Sequence, residues 1–165
     1  MARLASFAAA AVALTLSAGP LAAADLASTI GADSRFSILA QALRAAQMDE
    51  TFANAGGPVT LFAPTDAAFR KLPAGTVDTL LQPQNRERLR TLLRQHVSFQ
   101  SWPRSALSID GPVPTGNLMR IPVRGLQNPI VIGPARVEGA EIRADNAIIH
   151  AIDTVLVPPE RVATR

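Results

Sequence analysis

At 165 residues the chain is long enough for one domain with a real core. Its formal charge of +3 and its 4% aromatic content argue against nucleic acid as a partner, because that role calls for a strong basic surplus and stacking rings. The absence of cysteine excludes disulfides, thiolate metal sites and a lipidated N-terminal cysteine.

In chain order, Met1 to Ala24 has the form of a secretory leader. Arg3 precedes an apolar stretch from Leu4 to about Leu16, Gly19 and Pro20 break it, and Ala22-Ala23-Ala24 offers a small-x-small cleavage site. The stretch is short for a membrane span, so no span is expected once the leader is removed. Because Arg3 is its only charge, the remainder sums to +2. Residues 25–165 then read as one domain.

Asp33 or Ser34 can cap a helix whose apolar face carries Phe36, Leu39, Ala40 and Leu43. Val59 to Ala63 is a short apolar run between turn residues, read as a buried strand. Pro64 ends it, since proline has no N–H for the ladder. Thr65 is suited to cap a following helix by accepting from the N–H of Ala67 or Ala68, and Asp66 sits in the first turn, where the helix dipole favours an anion. A short helix is expected over Thr76 to Leu81. A longer one over Gln84 to Val97 places Leu89, Leu92, Leu93, His96 and Val97 on one face and Gln95 on the exposed side. Arg86, Arg90 and Arg94 recur along its flank as a solvated edge.

Beyond Pro103 the texture becomes that of strands and turns, with runs at Leu118–Val123, Pro129–Ile132, Ala140–Ala144 and Ala147–Val157. The last is apolar on both faces and should be central, with Asp145-Asn146 as the hairpin turn before it. Helices first and strands later predict an α+β fold.

Catalytic signals are few. There is no G-x-S-x-G elbow, no H-E-x-x-H and no phosphate-binding loop. His96 and His150 sit among aliphatic residues at core spacing and read as buried, hydrogen-bonded structural residues. Neither a metal site nor a cofactor is expected.

Four segments together carry a family resemblance. "PVTLFAPTDAAFRKLP" (58–73), "LRTLLRQHV" (89–97), "IRADNAIIHAIDTVLVP" (142–158) and "SRFSILAQALRAAQM" (34–48) resemble, in order and spacing, the signatures of the fasciclin domain. The resemblance implies a wedge-like β-sandwich with helices packed at one side, a secreted or periplasmic location, and a non-catalytic, monomeric interaction or adhesion module. Its partner would be an extracellular or cell-envelope protein or polysaccharide. Carried over by motif, Thr65, Asp66, Gln95, His96 and Val97 are the candidate binding residues, and Asn146, His150 and Asp153 the structural ones. In animal relatives a Tyr-His segment is linked to receptor binding; here Gln95 stands in place of the tyrosine, and Ala147 in place of the glycine after Asn146. Asp145 and Asn146 are therefore expected to hold the left-handed positions of the turn, and a His96 ring nitrogen is expected to bond to the Thr65-Asp66 corner. Two rival readings are a small-ligand binder with a cleft between sandwich and helices, and a hydrolase in which His96, Asp66 and a serine meet in one pocket.

The leader reading predicts that the protein recovered from its own cells begins at about Asp25. Intact-mass spectrometry checks this; a cytoplasmic species starting at Met1 would overturn it.

Overall fold

The computed structural model describes residues 25–48, 51–52, 56–126, 128–145 and 147–158. Helix α1 (Leu26–Ala32) opens this part, capped by the Asp25 carboxylate, which accepts from Ser28 N–H at 2.7 Å. A 3-10 turn (Ser34–Phe36) leads into α2 (Ser37–Ala46). Strand β1 (Val59–Pro64) is followed by α3 (Asp66–Arg70), α4 (Thr76–Leu81) and α5 (Arg86–Gln95). Then come β2 (Val97–Ser98), α6 (Arg104–Leu107), β3 (Gly111–Pro114), β4 (Arg120–Arg124), β5 (Val131–Ile132), β6 (Ala135–Arg143) and β7 (Ala147–Ile152). This is the expected α+β class.

The strands form one mixed sheet in the order β2-β1-β7-β6-β5-β4-β3. β1 and β7 run parallel, with Val59 opposite Ala147 and Pro64 opposite Ile152; the other pairs are antiparallel. β6 belongs to both halves. Its register shifts between Glu138 and Ile142, where Gly139 takes a left-handed φ of 68°, and such a bulge bends a strand. The sheet thus folds over on itself as a wedge.

Two cores result, divided by the central strands. On one face Val59, Leu61 and Ala63 of β1 and Ala147, Ile149 and Ala151 of β7 pack against α1–α5, with Leu39, Leu43, Leu89 and Leu93 among the partners. On the other face Phe62 and Ile152 pack with Val113, Ile121, Val123 and Ile132 inside the wedge. β7 is central, and apolar on both faces for that reason.

Several boundaries differ from expectation. The long helix stops at Gln95, and Val97 belongs to β2, paired with Leu61. The final strand stops at Ile152, five residues before Val157. β3, the first half of β6, α1 and α6 were not read from sequence. β3 is a proline-containing edge and α6 a four-residue helix, and both are too short for a clear period. The arginine row on α5 is not wholly a solvated edge. Arg90 Nε donates to the Ala46 carbonyl at 2.7 Å, and Arg86 Nη1 donates to Gln47 Oε1 at 3.3 Å; only Arg94 of the three is exposed. α2 ends with Gln47 in the left-handed conformation (φ 54°), and a guanidinium there meets the carbonyl end of the dipole.

Ala144 N–H donates to Ala147 O at 2.9 Å and Ala147 N–H to Ala144 O at 3.4 Å, so the chain reverses between them as the hairpin reading requires. Asn146, named for a left-handed position, lies outside the described residues. Asp145 does not take the expected positive φ: among described non-glycine residues that region is held by Gln47 and Leu118.

Gly125, directly after β4, abuts the backbone at the end of α6. A Cβ there would lie 1.9 Å from the Leu107 carbonyl oxygen and 2.4 Å from Ile109 N. Gly125→Ala should therefore force backbone apart and cost roughly 2–4 kcal/mol. Gly57→Ala, with no atom within 4 Å of the added carbon, should stay within about 0.5 kcal/mol. Urea midpoints of the two variants check the contrast.

Candidate functional site

Thr65 and Asp66 do two different capping jobs. The Thr65 hydroxyl accepts from Ala68 N–H at 3.3 Å, starting α3, while its own N–H donates to Ile152 O at 3.1 Å and extends the β1–β7 ladder. Asp66 caps another helix. Its carboxylate accepts from Ile38 N–H at 2.9 Å and from the Ser37 hydroxyl, so it supplies the anion at the N-terminus of α2. Asp33 caps only the 3-10 turn, accepting from Arg35 N–H at 3.0 Å. Glu141 repeats the device on the other side, accepting from Arg104 N–H at 2.7 Å where α6 begins. That N–H, together with Arg143, holds the Glu141 carboxyl below its usual range.

His96 does not bond to the Thr65-Asp66 corner. Its Nδ1 lies 2.8 Å from the Leu92 carbonyl, and Leu156 N–H points at its Nε2, also at 2.8 Å. The carbonyl can only accept and the amide can only donate, so the ring is the neutral Nδ1–H tautomer. The bond joins the end of α5 to the segment after β7. The expected partner was wrong because Thr65 and Asp66 had already been claimed by helix N-termini, whereas Leu156 N–H lies beyond the sheet and lacks a strand neighbour to accept from it. Complete burial pushes the His96 pKa down to about 4.

Gln95 is buried, 4% exposed, and not on the outer side. The turn after β3 closes over the end of α5: Gly116 N–H donates to Val97 O at 2.7 Å, and a Cβ at 116 would lie 3.2 Å from the Arg94 carbonyl. A helical period cannot register a neighbour that arrives from twenty residues downstream. The Oε1 of Gln95 has no hydrogen-bond partner among the described residues. Val97 is buried in β2. Of the five candidate binding residues, Thr65, Gln95, His96 and Val97 are buried and Asp66 is half-buried.

Of the remaining candidates among the described residues, His150 lies within β7 and Asp153 directly after it. His150 Nε2–H donates to the Trp102 carbonyl at 2.7 Å, and its ring stacks on Phe62 with centroids 5.9 Å apart. Burial lowers its pKa. Asp153 accepts from Arg136 N–H at 2.8 Å, and Lys71 Nζ reaches both its carbonyl (2.6 Å) and its carboxylate (3.3 Å). Burial works to raise this carboxyl, but the Arg136 N–H, Thr154 and Lys71 outweigh it and the net shift is downward. Sequence reading missed a polar latch beside His150. Thr60 donates to Gln100 O at 2.7 Å and accepts from Trp102 N–H at 2.9 Å, and Trp102 Nε1 donates to Ser98 Oγ at 3.1 Å. A lone threonine inside an apolar strand and the single tryptophan were the available signals.

His96 does not join Asp66 and a serine in one pocket. His96 has both nitrogens engaged with backbone, and Asp66 serves Ser37 and Ile38. Among the described residues no group of three or more metal-ligating side chains converges. A shallow recess of about 300 Å³ lies between α1 and α2, lined by Asp25, Ser28, Leu43 and Arg44 among others. It is on the helical layer and not between helices and sandwich.

The family model for the fasciclin domain matches residues 34–158. The chain belongs to the fasciclin domain family. Protein sll1483 of Synechocystis is 38% identical over 150 residues, covering 84% of this chain and 78% of that protein. Transforming growth factor-beta-induced protein ig-h3 of Sus scrofa is 33% identical over 135 residues, 77% of this chain but 18% of that much longer protein. The cell surface glycolipoprotein MPB83 of Mycobacterium bovis is 36% identical over 104 residues, 63% of this chain and 46% of that protein. A FAS1 domain pair from the insect cell adhesion molecule fasciclin I superposes with a TM-score of 0.69 at 19% identity, over 81% of this chain and 51% of that one. At that identity the likeness speaks for the fold. The fasciclin signature residues of this chain are thus mostly internal struts.

The His96 environment sets a pH dependence. The unfolded imidazole protonates near pH 6.5, the folded one only at about 4, so below 6.5 the unfolded state binds more protons. Stability is full above that value and should fall by about 3 kcal/mol as pH drops towards 4. The His96 NMR signals should show the Nδ1–H tautomer and no titration down to about pH 5, and His96→Gln should flatten the stability profile. A ring that titrates near 6.5 in the folded protein would overturn the assignment.

Proposed function

We propose that this protein is an exported, non-catalytic interaction module that attaches to a macromolecule of the cell envelope or its surroundings, protein or polysaccharide. The observation that carries the reading is kinship with proteins named for the cell surface and for cell adhesion. The interior supports it. Both histidines are buried and hydrogen-bonded to backbone carbonyls, and the Thr65-Asp66 corner is spent on two helix caps. Partner contact then falls to the surface these struts hold in shape, with Thr65, Asp66, Gln95, His96 and Val97 acting as its frame. The protein works as a monomer outside the cytoplasm, after removal of the leader near Ala24. Among the described residues no helix is long and apolar enough to cross a membrane.

Affinity capture from envelope extract with the purified protein checks this reading. Specific retention of an envelope protein or polysaccharide, and no turnover of ester or glycoside substrates, is the expected outcome. Measurable hydrolysis that disappears in His96→Gln would reverse it.

A further inference from the structure

The wedge has an outer side that no described helix covers. Helices back the half built on β1 and β7, but the half built on β3, β4, β5 and the start of β6 meets solvent on the face away from the inner core. Along β4 the pattern is strict: Ile121 and Val123 are buried, while Arg120, Pro122 and Arg124 are exposed. Register extends this outward face. Arg124 is opposite Val131, which is opposite Arg136 on β6, and residues directly opposite in a sheet share a face. Pro122 and Arg120 are opposite Pro112 and Pro114 of β3.

We propose that this outer face, carrying Arg120, Arg124 and Arg136, is a docking surface for an anionic polysaccharide.

The charge on this face is unbalanced. β3, β4 and β5 contain no carboxylate. Two acidic groups at its borders are engaged: Asp110 accepts from Leu126 N–H at 3.1 Å, and Asp153 holds Lys71 and the Arg136 N–H. Glu138, exposed and two residues along β6 from Arg136, shares the face with it, so three arginines there are set against one carboxylate. The three guanidinium groups make no ion pair among the described residues. Each is a flat fork suited to a carboxylate or sulfate.

Spacing selects a polymer. Four residues along a strand separate Arg120 from Arg124 by about 14 Å, and two strand spacings separate Arg124 from Arg136 by about 10 Å. No single small anion bridges such gaps, whereas an extended chain with an acidic group every sugar or two does. The rival partners fit less well. Pro112 and Pro114 deprive the β3 edge of N–H donors, which disfavours strand addition by a peptide. No aromatic side chain stands on the face to stack bases. Between the arginines the surface is proline and valine, with no large side chain to insert into a bilayer.

The proposal names the partner class within the adhesion reading and rests on it. The test uses the protein purified as its cells produce it, with polygalacturonate as probe, neutral dextran as control, and vesicles of phosphatidylglycerol and phosphatidylcholine as the membrane arm. Polygalacturonate should bind and dextran should not, with affinity falling steeply as salt rises. Arg120→Gln/Arg124→Gln/Arg136→Gln should weaken binding roughly tenfold or more, and Arg70→Gln on the helical layer should leave it unchanged. Unchanged binding by the triple variant, or binding to vesicles alone, would overturn the proposal. If the triple variant still captures envelope material as the unaltered protein does, this face is wrong and the adhesion reading stands. If neither captures anything, the adhesion reading itself falls.

Discussion

Six consecutive residues of β1, Val59 to Pro64, pair in parallel with Ala147 to Ile152 of β7, and this pairing places nearly everything else. It joins segments more than eighty residues apart in the chain, a costly closure that only extensive burial offsets. The burial is two-sided. Alternate residues of the same two strands feed the helical core and the core within the wedge. A polar change on either face of β1 or β7 would therefore reach a core. The Thr65 N–H continues the pairing for one more bond, to Ile152 O, which delivers the chain to the start of α3 in register.

Helices stacked on such a sheet have buried ends, and their unpaired backbone groups need partners. The protein meets this need from a distance. Asp66 closes the start of α2 and Arg90 its end, anion at the positive pole and cation at the negative one. Glu141 closes the start of α6. Each remote cap is also a tertiary tie, since it holds only while both segments are in place. His96 and His150 follow the same logic with neutral rings: each satisfies a carbonyl, and His96 also accepts a backbone N–H.

The residues of this chain that carry the fasciclin signatures are thus occupied with holding the wedge together. Thr65 and His96 are buried with their polar side-chain atoms bonded to backbone, which leaves them little to offer a partner. The exposed side of the sheet that the described helices leave bare can carry polar and charged residues without disturbing either core. In this chain that side is basic, although the whole chain is close to charge balance.

Local pattern was enough for the α+β class, the strand-to-helix corner at Pro64-Thr65-Asp66, the Thr65 cap, the central place of β7 and the core faces of α2 and α5. These rest on hydrophobic period and local caps, which act over a few residues and so are legible in a line of text. Long-range packing settles which helix Asp66 caps, what His96 bonds to, that Gln95 is buried, and that Arg86 and Arg90 reach the end of α2. Each depends on a group brought from a distant segment. The helical period gives the direction a side chain points but not what will cover it, and hydrogen-bonding need gives the demand for a partner but not which of many distant backbone groups meets it.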